Sequence, residues 1–253
     1  MSDINKELSA CPEDEPFVFG KKYTCPVCNK EFKNPTVKSS KARMIGSDTD
    51  LRPIYENINP LKYDVVMCPH CGYAALERYF ATLSQVQKSL IKEKIAAAYN
   101  PREEKETFAY EDAFLRYKMA LLSSFTKQAY DSEKAYVCLK SAWVLRAWRE
   151  TLAERGAKEA CEKLKKQENE FLKNAKTGFE QANMKEDYPI CGMDESTMDY
   201  LVAALSAHFE EYDAAIKLLS GVIASRVAGN RVKDRARDLK DEISAKQKKT
   251  QET

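Results

Sequence analysis

The spacing of apolar positions along this chain changes near Leu76. Upstream, apolar residues fall in short runs broken by Pro, Gly, Asn and Asp, with strand-like stretches at 22–24 and 65–67. Downstream they recur every three or four residues, the spacing that puts side chains on one face of a helix. That periodicity predicts helices near 84–99, 107–124, 132–152, 156–183, 195–209, 212–228 and 231–247. Helix breakers separate them: Asn100-Pro101, Tyr130-Asp131, Arg155-Gly156, and the stretch from Pro189 to Gly192. Ser132 before Glu133, and Asp194 before Glu195, predict N-terminal caps. A frayed tail is expected from about Lys246.

Small and aromatic residues recur on these predicted faces. Ala113, Tyr117 and Ala120 form one set, and Ala175, Phe179 and Ala182 a second. Ala215, Leu219 and Val222, preceded by Tyr212, form a third. Small residues let helices approach closely, and the larger one fills the space beside them. The third set resembles the second helix of a tetratricopeptide repeat, with 198–209, centred on Ala203, as its first helix. The alanines lie 62 and then 40 residues apart, against about 34 in the regular repeat. An unrelated helical bundle therefore stays open. Of the two tryptophans, five positions apart, one of Trp143 and Trp148 is expected in the core and the other at a packing edge.

Composition agrees with a helical chain. Eight glycines in 253 residues is few, where average usage gives roughly 18. The 41 basic and 39 acidic residues nearly cancel, so bulk charge gives no reason to expect nucleic acid or a membrane as partner. The polar opening MSDINKELSA lacks a signal-peptide core. The expected location is the cytoplasm, where thiols stay reduced and clustered cysteines favour metal over disulfides.

Four of the eight cysteines form two tight pairs, Cys25-Pro26-Val27-Cys28 and Cys68-Pro69-His70-Cys71. Each turn can aim two thiolates at one ion, and two turns complete a tetrahedral sulfur shell. Asn29 and Gly72, which follow the pairs, tolerate the left-handed backbone that points later N–H groups at the sulfurs. The predicted cofactor is one structural zinc ion, Zn2+, on Cys25, Cys28, Cys68 and Cys71. A closed four-sulfur shell leaves no position for water or substrate, so the expected role is structural. The pairs are 39 residues apart, longer than a compact zinc unit, and loop closure tolerates such an insertion. His70, between two cysteines of one turn, is expected to point away. A redox couple remains the alternative for each pair. Cys138, Cys161 and Cys191 are isolated, Cys11 lies in an acidic leader, and His208 has the setting of a structural histidine.

Between the pairs, residues 21–43 carry seven cations against Glu31 alone. Lys38, Lys41 and Arg43 are the candidate nucleic-acid contacts of such an edge. A solvated strand edge is the competing explanation. Asp48-Thr49-Asp50 invites a magnesium reading, against which stands a turn held by side-chain-to-backbone hydrogen bonds.

The expected fold is mainly α, a small β-rich zinc-ribbon-like module followed by a tetratricopeptide-like antiparallel helical array. The expected division is a flexible leader over 1–16, the module over 17–80, the array over 81–228, and a capping helix with charged tail over 229–253. The run from Lys22 to Cys28, then Asp48-Thr49-Asp50, then Asn59 to Ala75 resembles the bacterial domain-of-unknown-function 2225 family, over roughly residues 17–225. The resemblance implies a cytoplasmic protein with a zinc-binding N-terminal segment and tetratricopeptide-like helices, and it implies no reaction. Three functions compete: an adaptor for a protein or peptide partner, a nucleic-acid binder using the basic edge, and an enzyme of unknown chemistry. The adaptor reading is preferred, because only two histidines are present and no glycine-rich phosphate loop appears.

Overall fold

A computed structural model describes residues 12–251, with side chains through 248. Three two-stranded antiparallel hairpins precede the helices: β1 (Val18–Thr24) with β2 (Glu31–Val37), β3 (Met44–Ser47) with β4 (Pro53–Tyr55), and β5 (Val65–Met67) with β6 (Ala74–Leu76). Eight α-helices follow among the described residues. The first two are α1 (Glu77–Phe80) and α2 (Gln85–Lys94), and the long ones are α3 (Tyr110–Thr126), α4 (Asp131–Glu154) and α5 (Lys158–Lys185). The last three are α6 (Glu195–His208), α7 (Tyr212–Ala224) and α8 (Asn230–Gln251). The fold is mainly α, a β-rich N-terminal segment leading into an antiparallel helical array. No helix among the described residues is long and apolar enough to cross a membrane.

The β5–β6 hairpin joins the two parts. Side chains alternate across a strand, and here both faces are covered. Val65, Met67, Ala74 and Leu76 pack into the core of α3 to α6. Val66 and Ala75 face a second, smaller core with Val27, Phe32, Tyr73 and Phe80. The continuous apolar run Val65–Met67 follows from that double burial, because neither face meets water. The main apolar cluster thus crosses residue 80.

The predicted helix faces are the buried ones. Ala113, Tyr117 and Ala120 on α3, Ala175, Phe179 and Ala182 on α5, and Ala215, Leu219 and Val222 on α7 are all essentially inaccessible. Trp143 is buried, and Trp148 is half-buried against the same core. Gly178 lets α4 and α5 touch: a Cβ there would lie 2.8 Å from Cβ of Ala135.

Several expectations need correction. Residues 12–16 of the supposed flexible leader lie in a 3-10 turn, Pro12–Phe17. Asp14 is buried there, receiving a 2.6 Å hydrogen bond from Tyr63 Oη and an ion pair from Lys62. Residues 1–11, Cys11 among them, lie outside the described residues. The helix expected over 84–99 ends at Lys94 and tightens into a 3-10 turn, Ala96–Ala98, ahead of Asn100-Pro101. The helix expected from 107 starts at Tyr110, because Phe108 is tied to Tyr63 by an N–H donation to its hydroxyl and ring stacking at 5.2 Å. The helix expected from 132 begins one residue earlier, at Asp131, and Ser132 does not cap it. Instead its N–H donates to Oε1 of Glu186, 54 residues away. Gly156, at φ 75°, ends α4. The last helix does not fray at Lys246 but runs to Gln251 through strong helix formers.

One buried cation fastens β2 and β5 to α3. The Arg116 guanidinium, 2% exposed, donates to Asn34, to the Val65 carbonyl and to Glu104, and lies 4.2 Å from the Phe108 ring centroid. Removing one member of a buried ionic cluster costs about 3–5 kcal/mol, because its partners stay buried without it. Arg116→Ala is therefore expected to lower unfolding free energy by about 3 kcal/mol in urea titration. A loss below about 1 kcal/mol would match a surface pair instead.

Candidate metal centre

Each cysteine pair sits at the tip of a hairpin. The β1–β2 tip carries Cys25 and Cys28, and the β5–β6 tip carries Cys68 and Cys71. The two tips are built alike. Cys25 N–H donates to the Lys30 carbonyl at 3.0 Å and Asn29 N–H to the Cys25 carbonyl at 2.9 Å. Cys68 N–H donates to the Tyr73 carbonyl at 2.8 Å and Gly72 N–H to the Cys68 carbonyl at 2.9 Å. Asn29 (φ 60°) and Gly72 (φ 74°) take the left-handed backbone anticipated for both turns.

These turns bring the four sulfurs within 4.8 Å of one another, so the set can hold one metal ion. Cys25 Sγ lies 3.6 Å from Cys71 Sγ, and Cys28 Sγ lies 3.7 Å from Cys68 Sγ. These short approaches cross between the hairpins, whereas a redox couple joins the two cysteines of a single turn. His70 is outside the group of ligands. Thiols packed this closely share protons unequally. Hydrogen bonds from Cys68 and Cys71, aided by the N–H groups of Cys28 and Val27, hold the Cys25 thiol down to about 2. The hydrogen bond with Cys25 pushes Cys68 up to about 12 and drives Cys71 upward as well. A cation in their midst would replace the protons and keep the thiolates as ligands.

The surroundings make the centre rigid and dry. Cys25 and Cys68 are fully buried, and Cys28 is only partly covered. Tyr23, Phe32, Tyr73 and Phe80 form an aromatic cluster beside the tips, with Tyr73 and Phe80 stacked at 5.1 Å. Glu77 accepts from Lys21 Nζ at 2.6 Å and from Tyr23 Oη at 2.7 Å, tying β1 to α1. Tyr99 covers the second turn so closely that a Cβ on Gly72 would lie 2.4 Å from its ring.

The basic edge is partly consumed within the chain. Lys38 Nζ donates to the Pro16 carbonyl at 2.9 Å, and Arg43 pairs with Glu56 at 3.2 Å. Lys41 is exposed on a short 3-10 turn.

Asp48-Thr49-Asp50 forms a turn, as the competing reading had it, and its carboxylates meet arginines from far along the chain. Arg146 donates to Asp48 at 2.8 Å and to Asp50 at 2.7 Å, and its Nε reaches Glu168 at 2.6 Å. Trp143 Nε1 donates to Asp50 at 3.1 Å, while Arg52 binds Asp48 and, with both terminal nitrogens, Glu150. Burial works against the Arg146 charge, yet Asp50 and Glu168 outweigh it and hold its pKa above the ordinary value. Burial likewise works against the Asp48 carboxylate, and Arg52 and Arg146 still keep it below the usual carboxylate range. The signal for this cluster was Arg146, Arg149 and Glu150 set into an otherwise apolar stretch of α4. Its partners on α5 and in the turn could not be paired from spacing. His208, exposed at the end of α6, shares a 2.8 Å hydrogen bond with Asn169.

Paired cysteine hairpins docked on an antiparallel helical array mark a mainly helical protein with a candidate metal centre. Residues 18–243 match the model of the family described as "Uncharacterized protein conserved in bacteria (DUF2225)". The chain belongs to that family. No curated protein matches it, and no solved structure does.

The contact over Gly72 is directly testable. Gly72→Ala adds a clash with Tyr99 to an unfavourable φ, and is expected to cost about 2–4 kcal/mol in urea unfolding. Gly72→Ala combined with Tyr99→Ala should show less than the sum of the two separate losses, since the clash is then gone. Strict additivity would mean that the ring does not bear on the turn.

Proposed function

We propose that this chain is a non-catalytic cytoplasmic adaptor, with one structural Zn2+ on Cys25, Cys28, Cys68 and Cys71 and a tetratricopeptide-like array that receives a protein or peptide partner. The observation that carries the interaction reading is an apolar stripe on the solvent side of α3. Leu115, Leu122 and Phe125 lie along one helical face, and Tyr130 follows beyond its end. Phe125 is 59% exposed and Tyr130 76%. Aromatic and aliphatic side chains gathered on an exposed face favour partner binding over plain solvation.

Geometry supports zinc as the ion. Metal–sulfur bonds of about 2.3 Å in a tetrahedron put sulfurs about 3.8 Å apart, close to the 3.6 and 3.7 Å separations across the hairpins. Four thiolates fill the shell, which suits a structural site. Such a shell also accepts iron, so metal analysis of the purified protein tests the assignment. One zinc per chain is expected. Iron in its place, or far less than one equivalent of any metal, would overturn it.

Loss of the ion should be felt unevenly. The β5–β6 hairpin keeps its contacts to the helices, while β1–β2 is left with a small core, the Glu77 pairings and the Asn34–Arg116 contact. Chelation is expected to speed amide exchange across 18–37 by at least about tenfold and leave α4 and α5 protected. Uniform loss of protection would contradict this division.

Charging the stripe tests the adaptor reading. Leu122→Glu with Phe125→Glu should leave helicity and unfolding free energy within about 0.5 kcal/mol of wild type, as exposed positions allow. The same variant should lose the proteins retained by immobilised wild type from bacterial lysate. Retention of the same set by the variant would exclude α3 as the partner surface.

A further inference from the structure

The groove between α4, α6 and α8 already holds a peptide: residues 47–52 of this same chain. The turn between β3 and β4 reaches across 93 to 188 positions of sequence to make its contacts. Its recognition uses both side chains and backbone. Trp143 and Arg146 of α4 bind the Asp48 and Asp50 carboxylates, and Glu150 binds Arg52. Tyr200 Oη of α6 donates to the Thr49 carbonyl at 2.9 Å. Arg235 of α8 donates to the Asp48 carbonyl at 3.3 Å and to the Ser47 hydroxyl. Two carboxylates one residue apart, a following arginine and two backbone carbonyls are thus all read by the helices, as in peptide recognition by charge pairing.

Three features distinguish this arrangement from a turn that merely fills the core. The groove is wider than its occupant. A cavity of about 480 Å³ opens on one side of the turn, bordered by Arg149, Glu168 and His208. Another of about 370 Å³ opens on the other, bordered by Met44, Pro53, Arg231 and Val232. The hairpin that delivers the turn pairs with no other strand among the described residues, and Met44 and Ile45 on it are about half exposed. A lone two-stranded hairpin is marginally stable by itself. Leu51 in the turn is held at φ 67°, a conformation costly for a branched side chain that persists only under external constraint.

We propose that this groove is a docking site for acidic peptide segments of a partner protein carrying two aspartates separated by one residue, and that residues 47–52 are a resident copy which such a segment displaces. The proposal adds a second surface to the adaptor reading and does not use the α3 stripe. Arg146 with Trp143 selects carboxylates, and Arg235 reads the backbone beside the first of them. The bidentate Glu150 selects an arginine two residues after the second of them.

The test uses the full-length, metal-loaded protein and a labelled synthetic peptide of residues 44–55, followed by fluorescence anisotropy. A site occupied by its own ligand binds an added one in proportion to the fraction left open. Asp48→Asn with Asp50→Asn weakens the resident, so the double variant is expected to bind the peptide at least about tenfold tighter than wild type. A peptide with both aspartates changed to asparagine should bind neither protein, and adding Arg146→Gln should abolish binding by the double variant. A folded double variant that ignores the aspartate peptide, or takes both peptides equally, overturns the proposal. Should the double variant fail to fold, hydrogen exchange on wild type decides. Millimolar peptide is expected to speed exchange in residues 44–55, and unchanged exchange there would equally overturn the proposal. Leu122→Glu with Phe125→Glu should bind the peptide as its parent does, so the failure of one surface leaves the other standing.

Discussion

The structure depends on a hairpin buried on both faces. Val65, Met67, Ala74 and Leu76 belong to the helical core, Val66 and Ala75 to the core under the metal centre, and Cys68 and Cys71 stand at the tip between them. A strand so placed cannot shift register by one residue without exchanging the two sets. Burial of β5 and β6 therefore fixes where the second cysteine turn stands before any ion binds. The first turn has no such anchor. Its hairpin is held by the sulfurs, by the aromatic cluster, by the pairing of Lys21 and Tyr23 with Glu77, and by Asn34 of β2 on Arg116. A metal ion held by the four sulfurs would clasp the tips of the two hairpins together.

Charge does a comparable job in the interior. Arg116 ties β2, β5 and α3, and Lys62 ties the first described turn to the Tyr63 segment through Asp14. Arg146 joins the 47–52 turn to α4 and α5. Desolvating a cation is costly; Arg116 and Arg146 each offset the cost with two or more acceptors, and Lys62 with Asp14 and the face of Tyr110. Such clusters are intolerant of losing one member, and they select one arrangement of the segments over others of similar apolar burial. The chain places its directional contacts where its hairpins meet helices, because apolar packing alone gives little orientation to a short ribbon.

Two outward features remain after this internal accounting: the apolar stripe of α3 and the groove occupied by the chain's own acidic turn. They differ in physics. The stripe offers area without strong direction, and the groove offers direction through carboxylate and carbonyl recognition. A partner engaging both would gain from the second contact at the effective concentration set by the first.

Much of this was readable from local chemistry. The doubled Cys-x-x-Cys turns identified the four cysteines whose sulfurs gather in one place, since each turn carries its own geometry and its own left-handed residue. Helical spacing identified the buried faces of α3, α5 and α7, because a period of three to four is a property of neighbours in sequence. Two boundaries shifted where a distant group took over: Tyr63 delays α3, and Glu186 does at the start of α4 what Ser132 was expected to do. The fate of Asp48 and Asp50 lay wholly beyond the sequence. A turn was expected there, and a turn formed. Only the tertiary structure, by carrying Trp143, Arg146, Tyr200 and Arg235 to one groove, decided that the turn would be bound like a ligand. Spacing along a chain reports what neighbours do, and contacts across 93 to 188 residues leave no periodic trace.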